Sequence, residues 1–211
     1  MPLPVTIRAL EENPYSHALS DSEYRRLLED VFVARAEHIE QWYENDQATR
    51  NSFALCLLSP TAPVWVPGWR SILAVATIGP DGKEFLPNAI GKVCLLKDHQ
   101  LPLGALLVSQ THRLGHNEFR WDGAACVDGT YVGGSGLAVP QDRYQSIRTA
   151  ASFNFRVQSA IAAWEEAHPR TGKPRWSWFN KENKPPECLD IDYLEGEFFG
   201  ASSEWEAQPN A

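Results

Sequence analysis

The stretch "RWDGAACVDGTYVGGSGLAVPQDR", residues 120–143, decides how this chain is read. Five of the fourteen residues from Gly123 to Gly136 are glycine, and the run ends where a helix can open. Such a cluster either cradles a phosphate or shapes a sheet. A dinucleotide loop needs G-x-G-x-x-G between a strand and a helix. Gly134 and Gly136 supply the first pair, but Val139 stands at the sixth position and Pro140 follows. No Gly-Lys-Ser or Gly-Lys-Thr occurs, so a phosphate loop is excluded as well. A hairpin fits instead. Asp128-Gly129 suits a two-residue turn in which both positions take positive φ. "GAACV" then pairs with "TYVGGSG", and Pro140 opens a helix from its first turn.

Working outward, the apolar stripe Tyr144, Ile147, Ala150, Phe153, Val157, Ile161 and Trp164 steps by three or four, which predicts a helix from 140 to about 168. On the N-terminal side, "SILAVATI" (71–78) and "FALCLL" (53–58) predict buried strands, the first of them central. "GPDG" (79–82) predicts a turn followed by a returning strand at 83–86, and residues 87–100 predict a helix. "ALLVSQ" (105–110) fits either a strand or a loop. Ser20-Asp21-Ser22-Glu23 is a capping box, opening a helix over 21–44 whose stripe includes Tyr24, Leu27, Leu28, Val31, Ile39 and Trp42. Residues 1–19 read as an irregular arm. Because the glycine segment is a hairpin and not a crossover, the pattern favours an α+β single domain with an antiparallel sheet of about five strands flanked by helices.

Composition narrows the function classes. The 211 residues are 43% hydrophobic and 22% charged, as in an ordinary globular protein with a real core. The net charge is −8, and from Pro185 onward there are seven acids and no Lys or Arg, which leaves the rest nearly neutral. That balance argues against a phosphate backbone as partner, and the one basic, aromatic run considered, "RWSWFNKENK" (175–184), stands isolated in an acidic chain, so no nucleic-acid partner is expected. No long apolar run or leader-like segment occurs, so no membrane partner and a cytoplasmic location are expected. The four cysteines form no C-x-x-C pair, and reduced thiols are expected.

The hairpin "WDGAACVDGTYVGGSGLAVPQDR" resembles that of the GlcG/HbpS-like domain family, which includes haem-binding proteins and the C-terminal domain of PduO-type proteins. "NAIGKVCLLKDH" resembles the family's preceding helix, with Lys92 at its lysine position, and "AVATIGPDGKE" resembles its opening strand. The likeness covers about residues 70–165, with Asp122 in place of one family glycine. It implies a profilin/PAS-like layout, a homo-oligomer, and a pocket between the hairpin and "THRLGH". On this reading residues 1–65 are an N-terminal extension carrying helix 21–44, residues 66–168 are the core, and residues 169–211 are an aromatic loop and acidic tail.

His112 and His116 stand four apart, so on a helix they would share a face suited to one metal or to a haem iron. Gly115 works against a helix there, and a polar loop with incidental histidines is the plain alternative. Lys92, Arg113 and Arg143 are candidates for binding carboxylates or haem propionates, although Lys92 could equally snorkel. Asp128 has a turn role, Asp142 suits the first turn of its helix, and His99 suits the end of its own. Gly133, Gly134 and Gly136 leave strand area unfilled, which predicts close approach by a ligand, by "THRLGH" or by a neighbouring subunit, with Ser135 offering a hydroxyl and Trp121 a flat wall. Trp65, Trp69, Trp176, Trp178 and Phe179 suit stacking or an interface.

Two functions follow. The first is a small-molecule binding protein that takes haem or a related flat carboxylated ligand. The second is a cofactor-independent enzyme of isomerase, cyclase or lyase type, acting on a small aromatic or polyketide-like substrate. In it His112 or His116 would be the base, and Lys92 or Arg113 would stabilise negative charge.

Overall fold

The computed structural model describes residues 2–109, 112 and 121–168. Residues 2–167 of these belong to one compact unit, Met1–Ala167. Its elements run β1 (Val5–Ala9), α1 (Asp21–Glu44), β2 (Phe53–Leu58), a short 3-10 turn (Gly68–Arg70), β3 (Ile72–Ile78), α2 (Gly82–His99), α3 (Leu103–Ser109), β4 (Ala124–Val127), β5 (Thr130–Ser135) and α4 (Val139–Ala167). The five strands form one sheet in the order β1-β3-β2-β5-β4, and every pairing is antiparallel. The expected α+β class and strand number therefore hold.

β2, not β3, is the middle strand. All six of its residues are buried. Its side chains alternate between two layers, as the pleat dictates. Phe53, Leu55 and Leu57 join a core with Leu28, Val31, Phe32 and Ile39 of α1 and Ala150, Phe153 and Val157 of α4. Ala54, Cys56 and Leu58 join Ala89, Val93 and Leu96 of α2. The sheet is thus covered on both faces. Helices α1 and α4 lie on one side and α2 on the other.

Three local expectations are corrected. Residues 5–9 are not an irregular arm but an edge strand, with Ile7 opposite Ala76. Val-Thr-Ile is β-branched or alternating, and Pro2 and Pro4 sit just outside the ladder, where an edge tolerates them. Residues 83–86 are not a returning strand, because α2 already begins at Gly82 and carries Pro87 within it. The donor lost at Pro87 is outweighed by packing of Phe85, Leu86 and Ile90 on the sheet. Residues 103–109 form a short helix, not a strand or loop. Leu106 is wholly buried and its amide donates to Pro102 O. Residues 5–9 and 53–58 belong to the segment read as an extension, yet they supply two of the five strands.

Elsewhere local chemistry sets the elements as expected. Ser20 caps α1, with Ser20 N donating to Glu23 Oε2 at 2.8 Å and Glu23 N to Ser20 Oγ at 3.3 Å. The hairpin turn has φ of 47° at Asp128 and 79° at Gly129, the positive pair a tight turn requires. Val127 faces Thr130 across it. Among the described residues, no helix is long and apolar enough to cross a membrane.

Candidate functional site

The glycine-rich hairpin lies between the two helical layers, and its glycines make room for them. A Cβ at Gly133 would strike Ala89 O and lie 2.9 Å from Val93 Cβ, both on α2. On the opposite face, a Cβ at Gly134 would lie 2.7 Å from Ser146 Oγ and 2.8 Å from Asp142 O, both on α4. At Gly136 a Cβ would meet Ser52 O and Phe53, beside β2. Close approach is therefore real, and what approaches these three residues is the protein's own backbone and helices.

Gly123 has a different neighbour. A Cβ there would sit 2.8 Å from Lys92 Nζ and 2.9 Å from Asp142 Cβ. The Lys92 ammonium leaves α2, passes the start of β4 through this gap and meets Asp142 Oδ2 at 2.8 Å on α4. It also donates to Gly134 O at 3.1 Å and Ser135 Oγ at 3.3 Å. Both charged side chains are almost completely buried, at 2% and 3% exposure. Asp142 Oδ1 accepts from Leu137 N at 2.8 Å, which also ties down the approach to α4. Ser146 Oγ donates to Gly123 O at 2.6 Å and lies 3.0 Å from Asp142 O. Burial pushes the Asp142 carboxyl above its ordinary value, while the hydrogen bond and charge of Lys92 pull it part of the way back.

The outer rim of this pair is exposed. Trp121 is 68% exposed. Arg143 Nη1 stands 3.6 Å from Asp122 Oδ2, with the arginine side chain half-exposed. Asp122 Oδ1 also accepts from Gly123 N at 2.7 Å. His112 is exposed. Arg113 and His116, and with them most of "THRLGH", lie outside the described residues, as do Trp176, Trp178 and Phe179. Among the described residues, no three His, Cys, Asp or Glu side chains come together to hold a metal. His99 ends α2, and Asp128 serves the turn.

Two features escaped the sequence reading. Lys97 is as buried as Lys92 but donates to neutral oxygens, Val66 O at 2.6 Å and Ser71 Oγ at 2.7 Å among them, and so fastens the proline-rich loop after β2. Arg35 is buried on the core-facing side of α1. Its signal was present in the sequence: the stripe 24, 28, 31, 39, 42 has its missing helical step at 35, and an arginine fills it.

Comparison with known protein families, curated proteins and solved structures finds no match to this chain.

Proposed function

We propose that this protein binds a small molecule in the manner of the GlcG/HbpS-like domains, taking haem or a related flat carboxylated ligand. The observation that carries the reading is the buried Lys92–Asp142 pair beneath the Trp121–Asp122–Arg143 rim. Removing two charges from water costs more than a buried pair usually returns, so an apolar filling would serve stability as well. A retained pair is better explained by a site that needs fixed charge and a rigid floor. Trp121 offers a flat face, and Arg143 a guanidinium suited to a ligand carboxylate. The enzyme reading is less well supported. Lys92 is closed off and its three donors have acceptors, so it is poorly placed to stabilise charge on a substrate.

Titration with haem and with protoporphyrin IX tests the reading. Haem is expected to develop a Soret band that saturates, and His112→Ala or His116→Ala to shift or abolish it. Arg143→Gln is expected to weaken both ligands, since it removes a charged partner without touching the core. Absence of a saturable spectral change and of thermal stabilisation by either ligand would overturn the proposal.

A further inference from the structure

A second site, which does not rest on the reading above, lies where α1 crosses α4. Arg35 is 6% exposed, and its Nε and Nη1 are buried without a hydrogen-bond acceptor. Gln145 is wholly buried, and its Oε1 has no donor. Orphaned donors of this kind are rare in folded proteins, and a guanidinium cannot escape by losing its proton. Its surroundings add positive charge. Arg148 on α4 and Arg35 act on each other unfavourably, and both act so on His38. Glu37 and Tyr144 oppose this only as the smaller influences on Arg35. Among the described residues no carboxylate forms an ion pair with Arg35 or Arg148. His38 Nδ1 lies 3.2 Å from Gln145 Nε2.

The rim is aromatic. The His38 ring lies 4.4 Å from Trp42 and 5.7 Å from Tyr144, and Trp42 lies 5.4 Å from Tyr144, centroid to centroid. Tyr144 is 41% exposed and Arg148 is exposed, so the cluster reaches the surface. Two guanidinium groups beside an imidazole, opposed at Arg35 by the weaker influence of Glu37 and with two buried Arg35 donors lacking acceptors, match the chemistry of an anion. A buried water would satisfy the hydrogen bonds but leave the repulsion in place.

We propose that the α1–α4 seam is a binding site for a small oxyanion, a carboxylate or phosphate group, seated against Arg35, Arg148 and His38 and edged by Trp42 and Tyr144.

Calorimetric titration with inorganic phosphate and with benzoate, at constant ionic strength, tests this and separates the two sources. Saturable binding of either is expected, with benzoate favoured if the aromatic edge contributes. Arg35→Met is expected to lower affinity by about tenfold or more, the effect of losing a charge-assisted hydrogen bond. It should not lower the melting temperature of the ligand-free protein, because an unpartnered buried charge has been removed. If Arg35→Met fails to fold, Arg148→Gln and the His38 ring resonances decide. The resonances should move and saturate with phosphate or benzoate in the wild type and move less in Arg148→Gln. Neither anion binding saturably, with His38 unmoved, would mean a water-filled seam and overturn the proposal.

Discussion

Lys92 and Asp142 join the two helical layers through the space that a side chain at Gly123 would occupy, with ammonium and carboxylate 2.8 Å apart. Breaking such a pair strands the remaining charge. Lys92→Met or Asp142→Leu alone should destabilise the fold by about 3–5 kcal/mol, and the double variant should recover most of that loss. Urea denaturation of the three variants measures the coupling. Additive losses would show that the pair does not act as a unit.

Glycine is needed at 123 and 129 for different reasons. Gly129 has φ of 79° and nothing within 4 Å of a would-be Cβ, so Gly129→Ala should cost only about 1 kcal/mol. Gly123 combines φ of 142° with collisions at Lys92, Asp142 and Gly134 O, so Gly123→Ala should cost about 3 kcal/mol or more. Gly134→Val should displace α4 by striking Ser146, and so reports on packing whether or not a ligand binds. Thermal melts rank the three, and equal losses at 123 and 129 would contradict the packing account.

His38 should make stability depend on pH. Burial and the charges of Arg35 and Arg148 hold its imidazole below the ordinary value of 6.5, while the Gln145 hydrogen bond opposes them. Below 6.5 the unfolded chain therefore takes up the proton first. Stability is full above 6.5 and falls as the pH drops through the folded-state value. His38→Gln should flatten the melting temperature across that window. An unchanged slope would remove His38 as its source.

Thiol reactivity should separate the cysteines. Burial raises the Cys56 thiol far above its usual range and pushes Cys94 up to about 11, whereas Cys126 is exposed. Peptide mapping after brief alkylation at pH 8 should find label at Cys126 and little at Cys56 or Cys94. Prompt labelling of Cys56 would mean that the β2 core opens readily.

We propose assembly into a homo-oligomer through the loop between β2 and β3. Val64, Trp65 and Trp69 are exposed there by 70%, 83% and 60%. Light scattering should give a mass above the monomer, reduced in Trp65→Ser/Trp69→Ser. A monomer at micromolar concentration would refute it.

Local pattern alone made much of the fold legible. The capping box at Ser20–Glu23 and the stripe after it define α1, Asp128-Gly129 defines the β4–β5 turn, and the runs at 53–58 and 72–78 define two strands. The five-residue edge strand β1 was not legible, because a short run beside prolines gains its ladder only from β3. α2 was cut short at Pro87, since a local rule against proline cannot weigh the packing of Phe85 and Leu86 on the sheet.

What the sequence determined by itself was periodicity and turn chemistry: which segments pair or coil, that the glycine cluster is a hairpin, and that close approach occurs over Gly133–Gly136. Only the tertiary structure decided what approaches. Residues 92 and 142 are far apart in the chain, as are residues 35 and 148, and no local rule links either pair. The Lys92–Asp142 contact exists because Gly123 leaves a passage past the end of β4, and the cationic seam exists because α1 and α4 lie on the same face of the sheet. Both are products of long-range packing, in which charge is placed by the layers around it and not by its neighbours in sequence.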